Sequence, residues 1–503
     1  MNAVPTIRRQ SASAGERRSR LYLFLILLLC YVYFLPRWAD PNQNSRLDMI
    51  MAIVDDGTFQ IDRYVQNTVD YARVGEHYYS DKAPGAAFLA VPVYAALKPM
   101  LNHPSVERLL TRLSHTPAFQ ATLQPDGTGL LVGKVRLAVI QMAAALVTAA
   151  LPTALLGILM YVLLAQFTDR PWPRLLVALG YGLLTPAFPY AGAFYGHQLS
   201  AAGLFAAFVL VFAGKKPLTN PTLLGIGLLL GYSIITEYPV ALIAGILFLY
   251  TLYRLDAKWR IGWVILAGSI VAAGWMCYNT VVFGGPLTLG YGYSELWQKQ
   301  HHTGFMSLTL PHWDALWGIA FSPFRGLFVL SPLLLLAVLG LVLWWRSGKH
   351  HPEFWVVLAS VVAMLAFNST SGMWWGGFAV GPRYLLPMLP FFVLPLIFVF
   401  CEGERLPWLW GISAALALWS LVATWGLTLA GQAFPSDTIG NPLVEYAWPH
   451  WCAGDIARNL GMALHLRGVA SLLPLFVIVG VLFAGLILST LGDWPASAVR
   501  RLG

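Results

Sequence analysis

The sequence predicts an all-α integral membrane protein with about twelve transmembrane helices and a large first outer loop that carries surface helices. Of its 503 residues, 57% are hydrophobic and 11% are charged, whereas soluble domains carry roughly 25% charged residues. The apolar runs are unbroken and roughly twenty residues long, which favours helices over the ten-residue alternations of a membrane β-barrel. Basic residues lie between these runs, where they orient a membrane protein.

The first apolar run extends from Leu21 to about Leu35. Basic residues crowd the chain before it, at Arg8, Arg9, Arg17, Arg18 and Arg20. Because basic flanks stay on the cytoplasmic side, we expect a cytoplasmic N-terminus. The net charge of +9 comes from basic residues that cluster between the apolar runs, where they determine which side of the membrane each connection occupies. No nucleic-acid partner is therefore predicted.

A mixed, polar segment follows and ends near Arg136. The remaining apolar runs lie at about 137–166, 175–193, 198–213, 221–236, 238–253, 261–282, 326–345, 354–370, 385–401, 408–430 and 469–491. The shorter stretch from Ala86 to Met100 contains Pro92, and we expect it to be interfacial. With that assignment every short basic connection is cytoplasmic, which predicts a multi-pass plasma (inner) membrane protein with both termini inside.

The long connections then all lie on the outer face, at about 37–136, 283–325, 371–384 and 431–468. No repeat or low-complexity linker divides the chain, so residues 1–503 form one transmembrane domain. We divide it into a basic cytoplasmic N-terminus (1–20), a first outer loop with interfacial helices (37–136) and a helix bundle (137–491).

The first outer loop contains a predicted surface helix. Leu47, Ile50, Met51 and Val54 recur at helical spacing, which is typical of an amphipathic helix at a membrane surface. Its polar companions are Asp40, Arg46, Asp48, Asp55 and Asp56, and we expect Asp48 to be solvated. The plain alternative is that these charges merely solvate an external loop.

Two segments of this loop resemble a known family. Tyr79-Ser-Asp-Lys-Ala-Pro-Gly85 resembles the Tyr-x-Asp-Lys-Pro-Pro segment of GT-C fold membrane glycosyltransferases, including protein O-mannosyltransferase-like and aminoarabinose-transferase-like enzymes. Ala52-Ile-Val-Asp-Asp-Gly-Thr-Phe59 is similar to their segment before that motif. The resemblance implies transfer of a sugar from a polyprenyl-phosphate carrier to a glycan, lipid or protein acceptor on the outer face.

The resemblance also points to catalytic candidates. Family members place an Asp-Glu pair after the first helix, and the matching positions here are Asn42 and Gln43, whose amides cannot act as bases. An inverting transfer needs a carboxylate to take the acceptor proton. The candidates for this base are Asp40, Asp62 and Asp81.

Other residues are candidates for binding the substrate. Cations suit the phosphate of the leaving group, and tryptophans suit an interface or a sugar face. Glu237 is an acid at membrane depth, and because such an acid is costly when unpaired, it indicates a functional site. The candidates are Arg46, Lys82, His197, Glu237, Arg325, Trp375, Arg383 and Tyr384. The alternatives are an interfacial histidine, an exposed turn acid, and an aromatic belt with snorkelling arginines.

No motif for a nucleotide, a catalytic triad or a metal is present, so no cofactor is predicted with certainty. A divalent metal stays open at Asp55 and Asp56, although adjacent acids on a helix point about 100° apart and share one ion poorly. Two other functions stay open. One is a transporter or flippase for lipid-linked sugars, against which the lack of repeats argues. The other is a non-catalytic membrane scaffold derived from such an enzyme.

Overall fold

A computed structural model describes residues 13–37, 40–120, 132–214, 217–296, 307–403 and 405–492. The predicted cytoplasmic residues before Ser13 and the basic residues after Gly492 lie outside these ranges. The main helices are α1 (Ala14–Val32), α2 (Pro41–Met51), α3 (Gly85–Leu101), α4 (Pro104–Ser114), α5 (Lys134–Gln166), α6 (Pro171–Leu184), α7 (His197–Phe212), α8 (Asn220–Thr236), α9 (Tyr238–Arg254), α10 (Lys258–Phe283), α11 (Pro332–Ser347), α12 (His351–Ser369), α13 (Arg383–Val393), α14 (Leu396–Glu402), α15 (Trp408–Leu429) and α16 (Gly468–Leu491).

Short elements connect these helices. The short helices are Pro117–Gln120, Ala187–Ala191, Trp313–Ala320, Leu327–Leu330, Trp448–Cys452 and Leu460–Ala463. Single helical turns of other pitch are Ala52–Asp56, Val65–Asn67, Gly290–Tyr293 and Leu443–Ala447. The strands are β1 (Ala72–Val74) and β2 (His77–Tyr79), which pair antiparallel.

Five helices in the described part of the chain are long and apolar enough to cross a membrane, namely α5, α10, α12, α15 and α16. A sixth span arises if α13 and α14, which meet at a bend of 42°, count as one. Shorter apolar helices are α3, α7, α8, α9 and α11. The predicted count of twelve is therefore not confirmed. Pro395 breaks the run at 385–401, because proline lacks the N–H that a continuous helix needs.

The helix surfaces indicate a lipid environment. Large apolar side chains on α10, α15 and α16 stay exposed, for example Val281 at 73%, Leu418 at 62% and Leu488 at 70%. Water would not tolerate such continuous apolar faces on a monomer, whereas hydrocarbon does. The chain is thus an integral membrane protein.

Helix α2 forms where the sequence predicts a surface helix, but its polar face is not solvated. Arg46 and Asp48 are buried, because Arg46 packs against Glu237 of the bundle and Asp48 packs against the turn at 65–67. Asn67 donates from Nδ2 to Asp48 Oδ1 at 3.0 Å. The expectation that Asp48 is solvated is therefore wrong. Burial raises the pKa of Asp48 to about 8 despite the hydrogen bond from Asn67.

The β1–β2 hairpin determines which loop residues meet. Ala72 lies opposite Tyr79, and Val74 lies opposite His77. Continuing this register by two residues places Asp70 opposite Asp81, just before Lys82. The hairpin therefore brings together Asp70, which precedes β1, and Asp81 and Lys82, which follow β2.

Two glycines permit close contacts at the end of α8. A Cβ on Gly85 would lie 2.4 Å from Thr236 Oγ1, and a Cβ on Gly196 would lie 2.5 Å from the Thr236 carbonyl oxygen. A larger residue at either position would need the backbone to shift. The start of α3 and the start of α7 therefore both meet the end of α8, next to Glu237.

Candidate functional site

A polar cavity of about 140 Å³ lies where α2, the hairpin, α7, the α8–α9 turn and α13 meet. Its polar wall contains residues from the segment 37–136 and from the helix bundle. That wall comprises Asn42, Arg46, Asp70, Lys82, Tyr195, His197, Glu237, Tyr291, Ser307, Ser371, Arg383 and Tyr384. Six of the eight predicted substrate-binding residues are in this lining, and Arg325 and Trp375 are not.

Lys82 is buried between two carboxylates. Its Nζ lies 2.7 Å from Asp70 Oδ1 and 3.0 Å from Asp81 Oδ1. Burial acts to lower the pKa of Lys82, but the charges of Asp70 and Asp81 outweigh it, so the pKa is raised and the amine stays protonated. Burial and the charge of Asp81 raise the pKa of Asp70, which Lys82 opposes.

Glu237 links the loop to the bundle. Its Oε1 lies 3.5 Å from Arg46 Nη2 and 3.4 Å from His197 Nδ1. Arg46 also donates to the Asn42 carbonyl at 3.1 Å and to the Asn42 side chain. Asn42 thus contacts a cation of the cavity.

Arg383 brings the third cation. Its guanidinium lies 5.3 Å from the ring centroids of both Tyr195 and Tyr384, within the range of cation–π attraction. Nη1 lies 3.4 Å from the Tyr195 hydroxyl, whereas the buried Nε has no hydrogen-bond partner among the described residues. Tyr195 also stacks on His197 at 5.6 Å, which orients that ring.

Asp40 lies behind the cavity wall. Oδ1 accepts hydrogen bonds from the backbone N–H groups of Asn42 and Gln43, and Oδ2 accepts one from the Tyr195 hydroxyl at 2.6 Å. Asp40 therefore caps the N-terminus of α2. Burial raises its pKa, and the Tyr195 hydrogen bond opposes that shift. Neither oxygen lines the cavity.

The other two predicted bases also lie outside the lining. Asp62 is exposed, lies 2.7 Å from His77 Nδ1 and accepts a hydrogen bond from the Tyr78 N–H. Asp81 is buried behind Lys82. The structure brings Asp81 next to the cavity and leaves Asp62 on the surface of the hairpin.

Arg325 and Trp375 hold the loop before α13 in place. Arg325 is fully buried and donates to the carbonyls of Trp375, Gly377 and Pro435. Trp375 donates from its indole N–H to Asp437 at 3.3 Å. Both side chains connect the loop to residues 435–437, and neither faces the cavity.

The two acids left open for a metal have other partners. Asp55 lies 2.8 Å from Lys98, and Asp56 lies 2.9 Å from Arg63. Within the described ranges, no group of three or more His, Cys, Asp or Glu residues could hold a metal ion.

Sequence reasoning did not select Asp70, Tyr195 or Tyr291, all of which line the cavity. A signal for Asp70 was present, because Gly75 and Glu76 form a turn between two short β-type segments, and hairpin pairing carries Asp70 to Lys82. Tyr291 lies in a long connection without periodicity, so no local pattern indicated it.

An apolar groove of about 430 Å³ adjoins the cavity between α8, α9 and α10. Leu230, Ile234 and Phe248 are among its walls. Tyr238, which follows Glu237 directly, lines the groove, and its ring centroid lies 5.9 Å from that of Tyr291 in the cavity. A charged cavity and an apolar groove are thus separated by one pair of aromatic rings.

No protein-family model and no curated protein matches the chain. Among solved structures, ArnT from Cupriavidus metallidurans matches in the apo state and bound to undecaprenyl phosphate, each with a TM-score of 0.46. Sequence identity is 17% and 16%, and the matches cover 95% of this chain and 76% of the ArnT chain. ArnT is an aminoarabinose transferase of the GT-C type, the enzyme group that residues 79–85 resemble. At this TM-score the likeness adds no weight to the site, whose chemistry follows from its own residues.

Proposed function

We propose that the chain is a glycosyltransferase that moves a sugar from a polyprenyl-phosphate carrier to an acceptor on the outer face of the inner membrane. One observation carries this proposal. The cations Arg46, Lys82 and Arg383 meet in one cavity, and that cavity adjoins an apolar groove. A ligand that satisfies both has a phosphate and a long hydrocarbon chain.

The phosphate binds among the three cations. Charge-assisted hydrogen bonds to phosphate are roughly twice as strong as neutral ones, and a buried site strengthens them further. Asp70 and Glu237 balance Lys82 and Arg46, which they contact, so the lining keeps the positive charge of Arg383 for a phosphate. The prenyl chain lies in the groove beyond Tyr238 and Tyr291, where it buries mainly apolar surface.

Asp70 acts as the base in this proposal. It lines the cavity next to Lys82, and its raised pKa makes it a stronger base than a solvated carboxylate. The acceptor hydroxyl gives its proton to Asp70 while its oxygen bonds to the sugar C1. The bond from C1 to the phosphate oxygen breaks, and the cations hold the charge that develops on the leaving phosphate.

Donor binding is tested with radiolabelled polyprenyl-phosphate sugars and purified full-length protein. We expect Arg383→Ala to weaken binding about tenfold or more, because a hydrogen bond to a charged group contributes roughly 1.5–3 kcal/mol. The matched control is Arg73→Ala in β1, an exposed arginine 3.7 Å from Glu295. Equal affinities of both variants and the wild type would contradict the proposed phosphate site.

The base is tested by turnover at saturating donor, with lipid, glycan and protein fractions as acceptors. Asp70→Asn is expected to lower turnover about 10²- to 10⁴-fold while donor binding persists. Asp40→Asn keeps the cap of α2, since Asn and Asp cap equally well, and is expected to stay near wild-type turnover. Asp62→Asn and Asp81→Asn complete the set. Loss of turnover in one of these three, with Asp70→Asn active, would move the base to that residue.

Product formation, measured with the protein in vesicles, distinguishes a transferase from a flippase and from a scaffold. A flippase binds the donor and carries it across a vesicle bilayer without forming a glycosylated product. A scaffold neither moves nor consumes it. Product formation that depends on the cavity residues is the result expected here. For this geometry to work, the cavity faces outward and both termini are cytoplasmic, in agreement with the basic connections.

A further inference from the structure

A second polar cleft lies apart from the proposed active site. It has a volume of about 440 Å³ and lies between the Ala52–Asp56 turn, α3 and the first turns of α5. Arg63, Lys98 and Arg136 are in its rim, together with Asp55. None of these residues lines the cavity that holds Lys82.

Two of the three cations have acidic partners. Lys98 lies 2.8 Å from Asp55, which also accepts a hydrogen bond from the Tyr94 hydroxyl at 2.9 Å. Arg63 lies 2.9 Å from Asp56. Arg136 donates to the neutral side chain of Asn102 and has no carboxylate partner among the described residues. The cleft thus keeps one uncompensated positive charge.

The floor of the cleft is apolar. Leu137 and Ile140 come from the first turns of α5, and Met51 comes from the end of α2. Because α5 is long and apolar enough to cross the membrane, its first turns lie at the boundary between hydrocarbon and headgroups. The cleft therefore offers a cation at headgroup depth directly beside apolar side chains.

We infer that this cleft binds the phosphate headgroup of an anionic membrane lipid. The phosphate contacts Arg136, and the upper part of the acyl chain lies on Leu137 and Ile140. A free phosphate ion would use only the cation, whereas a lipid uses the cation and the floor together. This binding is independent of the proposed transferase activity, since no residue is shared.

The test measures the affinity of tail-labelled phosphatidylglycerol for the purified full-length protein in a neutral detergent. Arg136→Gln is expected to weaken binding about tenfold or more, and Arg136→Lys is expected to retain most of it. Lys134→Gln is the matched control, because it removes the same charge two residues earlier from an exposed side chain outside the cleft. Its effect is expected to stay below about twofold.

Other outcomes would overturn the inference. Equal losses in Arg136→Gln and Lys134→Gln would indicate general attraction to a basic surface. Competition by inorganic phosphate at millimolar concentration, with full retention of affinity in Leu137→Ser, would indicate a site for the free ion. The thermal midpoint of each variant is recorded alongside, so that a loss of folded protein is not counted as a loss of affinity.

Discussion

Replacing Lys82 should destabilise the protein as well as disturb the proposed phosphate site. Its side chain is 8% exposed, and its amine lies within 3.0 Å of carboxylate oxygens of both Asp70 and Asp81. In Lys82→Met these two buried acids lose their cation and repel each other. Removing one partner of a buried pair costs about 3–5 kcal/mol, so Lys82→Met is expected to lose roughly that much.

A compensated variant separates stability from binding. In Lys82→Met/Asp70→Asn/Asp81→Asn no charge is left in the cluster, and the side chains keep nearly the same shape. Replacing a buried ion pair as a whole is often neutral, so stability is expected to return to within about 1–2 kcal/mol of the wild type. Donor binding should stay weak, because the phosphate has lost one of its three cations.

The assay is thermal unfolding in detergent, followed by tryptophan fluorescence, together with donor binding. Lys98→Met is the control, since that lysine is 35% exposed and pairs with Asp55, and such a pair contributes about 1 kcal/mol or less. The reasoning is refuted if Lys82→Met unfolds at the wild-type temperature. It is equally refuted if the triple variant is no more stable than the single one.

Three further predictions concern stability and positioning. Asp48 has a pKa of about 8 in the folded protein, whereas in the unfolded chain an aspartate releases its proton near pH 4. Between about pH 4 and pH 8 the folded state therefore binds a proton that the unfolded state does not. The free energy of unfolding should fall as pH rises through this range, by at most about 1.4 kcal/mol per pH unit. Asp48→Asn should flatten this dependence in thermal midpoints measured at pH 5 and pH 8, and an unchanged slope would contradict the assignment. Gly196→Ala places a Cβ 2.5 Å from the Thr236 carbonyl and should cost about 1–3 kcal/mol and lower turnover, whereas Gly225→Ala, with nothing within 4 Å, should leave both unchanged. Arg325→Ala removes the side-chain donor from the carbonyls of Trp375, Gly377 and Pro435, of which only Pro435 keeps another donor among the described residues, the Ala379 N–H, and should lower the thermal midpoint. Arg325→Lys should restore it only in part, because one amine cannot reach all three acceptors.

Sequence patterns predicted where the helices of the bundle lie better than whether each helix is unbroken. The runs at 261–282 and 408–430 correspond closely to α10 and α15, because unbroken apolar sequence has few alternatives to a helix in lipid. The run at 326–345 instead contains a short helix before α11. Pro332 separates the short helix from α11, because proline lacks the N–H that a continuous helix needs, yet it leaves the hydrophobicity that defined the run nearly unchanged.

The candidate site was predicted in part for a similar reason. Lys82 and Arg383 were selected because each stands in a local motif, and both line the cavity. Asp70 was not selected, since its role depends on a hairpin register that only the fold makes visible. Arg325 looked equivalent to Arg383 in the sequence, and only burial against backbone carbonyls distinguishes them.

The contact between Arg46 and Glu237 joins two residues that are synthesised many seconds apart. They are separated by 191 positions (237 minus 46), and at about 5–20 residues per second the arginine waits roughly 10–40 s for its partner. In the second half of that interval the segment 37–136 has been made, but Glu237, which follows the end of α8, has not. The segment 37–136 can therefore complete its contacts only after α8 has been made, and a nascent chain halted before residue 237 should leave this segment sensitive to protease.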